Sequence, residues 1–174
     1  AVKQWKGMFR TQKAALERRL GMRVPAKHPL TSWLAKWSGE VITWENKGHD
    51  GQTAYQRIRG KPFHTKLVCL GETVRYKLRS KEPLTSHADG RRFHLGIFLG
   101  IDRRTGQYIV CGAEGVKHAR TMLRLPDRDK WDIEALQKLN VTPYSLHVPR
   151  EPEVVFKDHV EKKPVDMADK TVLA

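Results

Sequence analysis

The first twenty residues place apolar side chains at helical spacing: Trp5, Phe9, Leu16 and Leu20 fall on one face at about 100° per residue. Lys3, Lys6, Arg10 and Lys13 recur at steps of three and four on a neighbouring face, with Glu17 the one acidic residue of the segment. The pattern predicts an amphipathic helix over 2–20, stopped by Gly21 and an extended Val24-Pro25 exit. A second stripe (Leu30, Trp33, Leu34, Trp37, Val41, Trp44) predicts a helix from Pro29 to Trp44 that leaves Lys36 and Glu40 outside. After a turn-rich break at 46–51, Thr53 is suited to cap a short helix, Ala54 to Arg59, and Gly60 to end it.

From Leu67 the period becomes strand-like. Thr73 to Leu78 alternates, with Val74, Tyr76 and Leu78 on one side and Arg75, Lys77 and Arg79 on the other. Residues 80–92 read as a polar loop ending in Arg91-Arg92. Phe93 to Ile101 predicts a strand in which Gly96 and Gly100 suit a bulge or a tight bend. A turn at 103–106, a strand from Gln107 to Cys111, a turn at 113–115 and a strand from Val116 to Thr121 follow. Short strands this closely connected are what a small barrel requires. Trp131 to Leu139 has the spacing of one more short helix. Beyond Val141, prolines interrupt a mixed-charge segment expected to have no core of its own, either disordered or laid along a partner. The expected class is α+β, divided into a helical segment 1–66, a barrel 67–126, and a short helix with an extended tail over 127–174.

Charge sharpens this picture. Lys and Arg number 33 against 19 Asp and Glu, a net charge of +14 with a pI near 10.0. Residues 1–66 carry 14 basic and 4 acidic residues, while 132–174 carry 6 and 8. An excess of this size predicts attraction to polyanions, nucleic acid ahead of anionic membrane, through the first three quarters of the chain. The plainer alternative is a soluble basic protein. No run approaches the ~18 apolar residues of a membrane span.

Candidate chemistry is sparse. Cys69 and Cys111 fall inside predicted strands and form no CxxC cluster, so both read as buried thiols of a reducing compartment. Asp50, Asp89 and Asp102 sit in turns or loops and read as turn formers. His64, His94 and His118 lack zinc-ligand spacing. Neither a nucleophile elbow nor a phosphate-binding glycine loop is present, and no cofactor or metal is expected. The first residue is alanine rather than methionine, which fits a processed precursor or a fragment, and is compatible with a cleaved organellar presequence.

The order of several segments resembles the downstream end of a copia-like retrotransposon integrase. AVKQWKGMFRTQKAALERRLG resembles the continuation of the helix that opens with the family's catalytic glutamate. HPLTSWLAKWSGEVITW resembles the next core helix, and GQTAYQRIRGKPF the family's TPYE-like element. Gly71 to Arg124 is similar to the C-terminal SH3-like barrel, including a G-x-F-L-G run at Gly96 to Gly100. The resemblance covers roughly residues 1–130. It implies that the metal-binding D,D,E carboxylates belong upstream of Ala1, and strand transfer needs two Mg²⁺ ions held by such a cluster.

These readings lead to one expectation: a non-catalytic, integrase-derived protein that binds nucleic acid, RNA favoured over DNA. It would serve within a large ribonucleoprotein such as an organellar ribosome. The mitochondrial matrix is favoured as its compartment, with the nucleus as the alternative, and no membrane role is expected. Phosphate contacts are assigned to Lys3, Lys6, Arg10 and Lys13 on the first helix. Arg75, Lys77, Arg79, Arg91, Arg92, Arg103 and Arg104 would supply those of the barrel. Trp33, Trp37 and Trp44, left uncovered by a missing core sheet, are expected to meet neighbouring proteins. Two alternatives stand beside this reading. One is the DNA-binding end of a working integrase. The other is a chromodomain-like peptide reader with Tyr76, Phe93, Phe98 and Tyr108 as candidate cage residues.

Overall fold

The computed structural model describes residues 2–77, 93–146 and 157–158. Helices α1 (Val2–Leu20), α2 (Pro29–Glu45) and α3 (Ala54–Arg59) precede strands β2 (Thr73–Lys77), β3 (Phe93–Ile101), β4 (Tyr108–Gly112), β5 (Gly115–Ala119) and β6 (Met122–Arg124). A short helix α4 (Ile133–Gln137) follows, and β1 (Met22–Arg23) pairs with β7 (Lys157–Asp158) in a separate two-stranded ribbon. The protein is thus α+β, helices first, then a five-stranded antiparallel sheet in the order β5-β4-β3-β2-β6.

The helix ends follow from local chemistry. Gly21 (φ 66°) ends α1 and Gly60 (φ 70°) ends α3, both in the left-handed region that glycine enters without a Cβ penalty. Thr53 caps α3 by accepting from the Gln56 N–H. At α2 an imidazole does the same: His28 Nδ1 accepts from the Leu30 N–H at 3.2 Å, with Pro29 at the first helical position.

Helix α1 docks on α2 through Trp5, whose indole donates to the Ala35 carbonyl at 3.1 Å and lies over Gly39. The stripe on α2 meets the sheet. Trp37 meets Phe98 of β3 edge to face at 5.3 Å, Trp44 stacks on Phe63 at 4.4 Å, and the Trp33 indole donates to the Val141 carbonyl at 2.8 Å. Trp33, Trp37 and Trp44 are accordingly buried, 1%, 4% and 4% exposed. This corrects the expectation of an uncovered tryptophan interface, because residues far along the same chain cover all three. Leu16, Leu34, Phe98, Val110, Leu136 and Val141 belong to one buried cluster, so packing crosses the expected segment boundaries at 66 and 126.

Two further expectations are revised. Leu67 to Leu70 is irregular rather than a strand, and Val68 and Leu70 pack into the core; Cys69 therefore lies outside any strand. Glu40 is buried rather than outside. The sheet's outer strands, β5 and β6, share no ladder among the described residues.

The glycines of β3 divide the work. The register shifts between Phe98 and Gly100, so Gly100 sits at the bulge. Gly96 instead clears space for Tyr76: a Cβ there would stand 2.8 Å from the Tyr76 ring and 2.9 Å from the Cys111 carbonyl. Gly112 of β4 faces the same tyrosine. Gly96→Ala should therefore destabilise by about 1–3 kcal/mol, since a neighbouring backbone carbonyl cannot step aside. Gly7→Ala, in open space on α1, should stabilise by about 0.5–1 kcal/mol; denaturant melts of the two variants check both signs.

Burial lowers the His28 pKa from 6.5, partly opposed by a backbone hydrogen bond with Gln137. A histidine depressed in the folded state binds fewer protons than in the unfolded chain. Its contribution is therefore present above the unfolded value and lost as pH falls from 6.5 toward the folded value. The melting temperature should drop on acidification through that window, and His28→Asn, which keeps a capping oxygen, should flatten the drop.

Candidate nucleic-acid interface

Eleven cations carry the sequence-based interface, and the structure divides them. Lys3, Lys6 and Arg10 are exposed on α1 and make no ion pair with a described residue. Lys13 is half-buried, 3.7 Å from Glu17, which also accepts the Val24 N–H. It is thus drawn toward the α1 exit. The remaining α1 cations, Arg18 and Arg19, lie in its last turn, where positive charge complements the helix dipole. Arg19 lies over the Trp131 ring at 5.8 Å.

On the sheet, β2 alternates as expected: Val74 and Tyr76 are buried while Arg75 and Lys77 are exposed. Arg79, Arg91 and Arg92 fall outside the described residues.

Arg103 and Arg104 stand side by side in the β3–β4 turn and differ in role. Arg103 Nε donates to Glu40 Oε2 at 2.6 Å, and that carboxylate is only 5% exposed. Arg103 therefore lets α2 bury an acidic group against the turn, so a guanidinium assigned to phosphate also ties the fold together. Burial opposes ionisation of Asp102, but the Thr105 and Arg104 N–H groups, with His118 and Arg104 nearby, outweigh it and hold the carboxyl below its ordinary value. Asp102 is a turn former, as is Asp50, which accepts the Gln52 N–H and holds Arg57. The Arg57 guanidinium lowers the Asp50 carboxyl to about 2. Asp89 lies outside the described residues.

A second buried carboxylate escaped sequence reading. Glu72 is fully enclosed and takes two hydrogen bonds from Arg124, at 2.7 and 2.8 Å, fastening the start of β2 to β6. Both glutamates consume arginine charge inside the fold. Their partners lie 63 and 52 residues away, so no local spacing betrays them.

The candidate peptide cage is not assembled. Tyr76 and Phe98 are buried in the core, and Tyr108 meets Phe98 edge to face; Phe93 alone is exposed. Sequence reading also passed over Leu95 and Leu123, which project from the exposed face beside Arg75. The outward set of β3 could have been counted from Phe93, but the mostly apolar FHLGIFLGI run hides which of its residues face out.

Beside this face a cleft of about 870 Å³ opens between the sheet and the α4 segment, with Thr73, Cys111 and Val116 on one side and Asp132, Leu139 and Val141 on the other. Burial pushes the Cys111 thiol up to about 11, which keeps it protonated and a poor nucleophile near neutral pH. Among the described residues no three His, Cys, Asp or Glu side chains are grouped to hold a metal ion. No helix among them is long and apolar enough to cross a membrane.

Paired substitutions separate the two turn arginines. Arg103→Met should cost about 2 kcal/mol of stability by leaving Glu40 buried without its cation, less than for a fully enclosed pair because Arg103 is 62% exposed. Arg104→Ala should leave the denaturation midpoint within about 0.5 kcal/mol of the parent. Searches of protein-family models, curated proteins and solved structures find no match to this chain.

Proposed function

We propose that this chain is a non-catalytic, integrase-derived RNA-binding protein that serves as a structural component of a large ribonucleoprotein, an organellar (mitochondrial) ribosome being the concrete case. One observation carries the reading: helix α1 presents a row of cations on an outward face. Lys3, Lys6 and Arg10 are exposed, and Glu17, the single acidic residue of α1, is already occupied by Lys13 and the Val24 N–H. Cations held in a row with no anion among them gain most from a polyphosphate backbone, because each contact releases condensed counterions.

The sheet adds Arg75, Lys77 and Arg104, exposed on strand and turn. Its order, with the last strand β6 beside the first strand β2 and tight turns joining β3 to β4 and β4 to β5, is compatible with an SH3-like barrel. Backbone contacts of this kind position a partner without reading its sequence.

The endogenous protein should sediment with large particles, and ribonuclease should shift it to light fractions. Light sedimentation that ignores ribonuclease would remove the basis for an RNA-bound role. In direct binding, Lys3→Ala/Lys6→Ala/Arg10→Ala should lower the slope of log K against log salt by about 2 on single-stranded RNA, near 0.7 per lost contact.

A further inference from the structure

The exposed sheet face joins apolar and basic side chains in a way that phosphate contact alone does not use. Register sets them next to one another. Lys77 of β2 lies opposite Phe93 of β3, and Arg75 lies between Leu95 of β3 and Leu123 of β6. Residues two apart on a strand share a face, and neighbouring strands lie about 4.8 Å apart, so the five side chains form one patch across three strands. Phe93, Leu95 and Leu123 are 37%, 58% and 50% exposed. Arg75 and Lys77 are exposed and make no ion pair with a described residue, and none of the five is acidic.

A duplex is a poor occupant of this patch. It presents phosphates outward and keeps its bases stacked inside, so the three apolar side chains would face sugar and phosphate. A strand with unpaired bases offers both kinds of surface at once: anionic phosphates for Arg75 and Lys77, and base faces for Phe93 and its aliphatic neighbours. The apolar surface also continues past the patch. Leu95 borders the cleft between sheet and α4 segment, whose walls include Ile97, Val116, Leu139 and Val141. An unstacked base can leave water there.

We propose that this face binds single-stranded RNA by base contact, with Phe93 as the stacking platform and Arg75 and Lys77 on the flanking phosphates. The proposal rests on the RNA-binding reading above and adds to it the form of the RNA and the groups that meet its bases.

The test is fluorescence anisotropy on the full chain with three labelled probes of about ten nucleotides: an oligouridylate strand, a duplex of the same length, and an abasic strand with the same phosphates. The oligouridylate should bind about tenfold tighter than either of the others. Phe93→Ala should lose about tenfold on it alone, and Phe93→Trp should restore binding. That restoration, with unchanged melting, separates lost stacking from lost folding. Equal affinity for all three probes, or a Phe93→Ala protein that binds like the parent, overturns the base-contact proposal while leaving backbone binding intact. Failure to bind any probe overturns both.

Discussion

The edge-to-face contact between Trp37 and Phe98 is the joint on which the architecture turns. Trp37 sits mid-stripe on α2, and Phe98 sits just before the β3 bulge, so one contact fixes the helices against the sheet. The Gly100 position lies against the same indole, 3.7 Å from a Cβ built there. Around the joint, Trp44 meets Trp37 and stacks on Phe63, which brings the segment after α3 into the core. The exposed strand face owes its order to this arrangement: with Val74, Tyr76 and Phe98 turned inward, alternation sends Arg75, Lys77 and Leu95 outward.

Net charge and available charge are different quantities in this protein. Glu40 and Glu72 are buried and each holds an arginine, Arg103 or Arg124. A glutamate placed under a basic surface removes a cation from the pool that can meet a ligand and converts it into a tie between elements. Turn carboxylates act alike on a smaller scale, as Asp50 does with Arg57. The cations left over include those on the outer face of α1, the outward face of β2 and Arg104 in the β3–β4 turn.

Much of this was legible in the sequence. The apolar stripes of α1 and α2, the Thr53 cap, the Gly21 and Gly60 stops and the β2 alternation depend on neighbours within a few residues, and local pattern records such neighbours faithfully. What failed has long-range causes. The α2 tryptophans read as uncovered because their covers, Phe63, Phe98 and Val141, lie up to 108 residues away. Glu40 read as solvated because Arg103 reaches it only once the β3–β4 turn is docked. Gly96 read as a bend rather than a seat for Tyr76 because that role requires strand register. Leu95 and Leu123 were passed over for the same reason: only pairing across β2 brings them to either side of Arg75.

The hydrogen bond from the Trp33 indole to the Val141 carbonyl spans 108 residues of chain. On a ribosome, α2 emerges long before residue 141 can reach it, and β3, which carries Phe98, emerges more than fifty residues after Trp37. The nascent chain therefore passes through a stage in which three tryptophans are synthesised and unsheltered. At the usual pace of about 5–20 residues per second this stage lasts several seconds. The tryptophans that join helix to sheet in the finished protein are exposed apolar surface during synthesis, and the order of the strands along the chain sets how long that exposure persists.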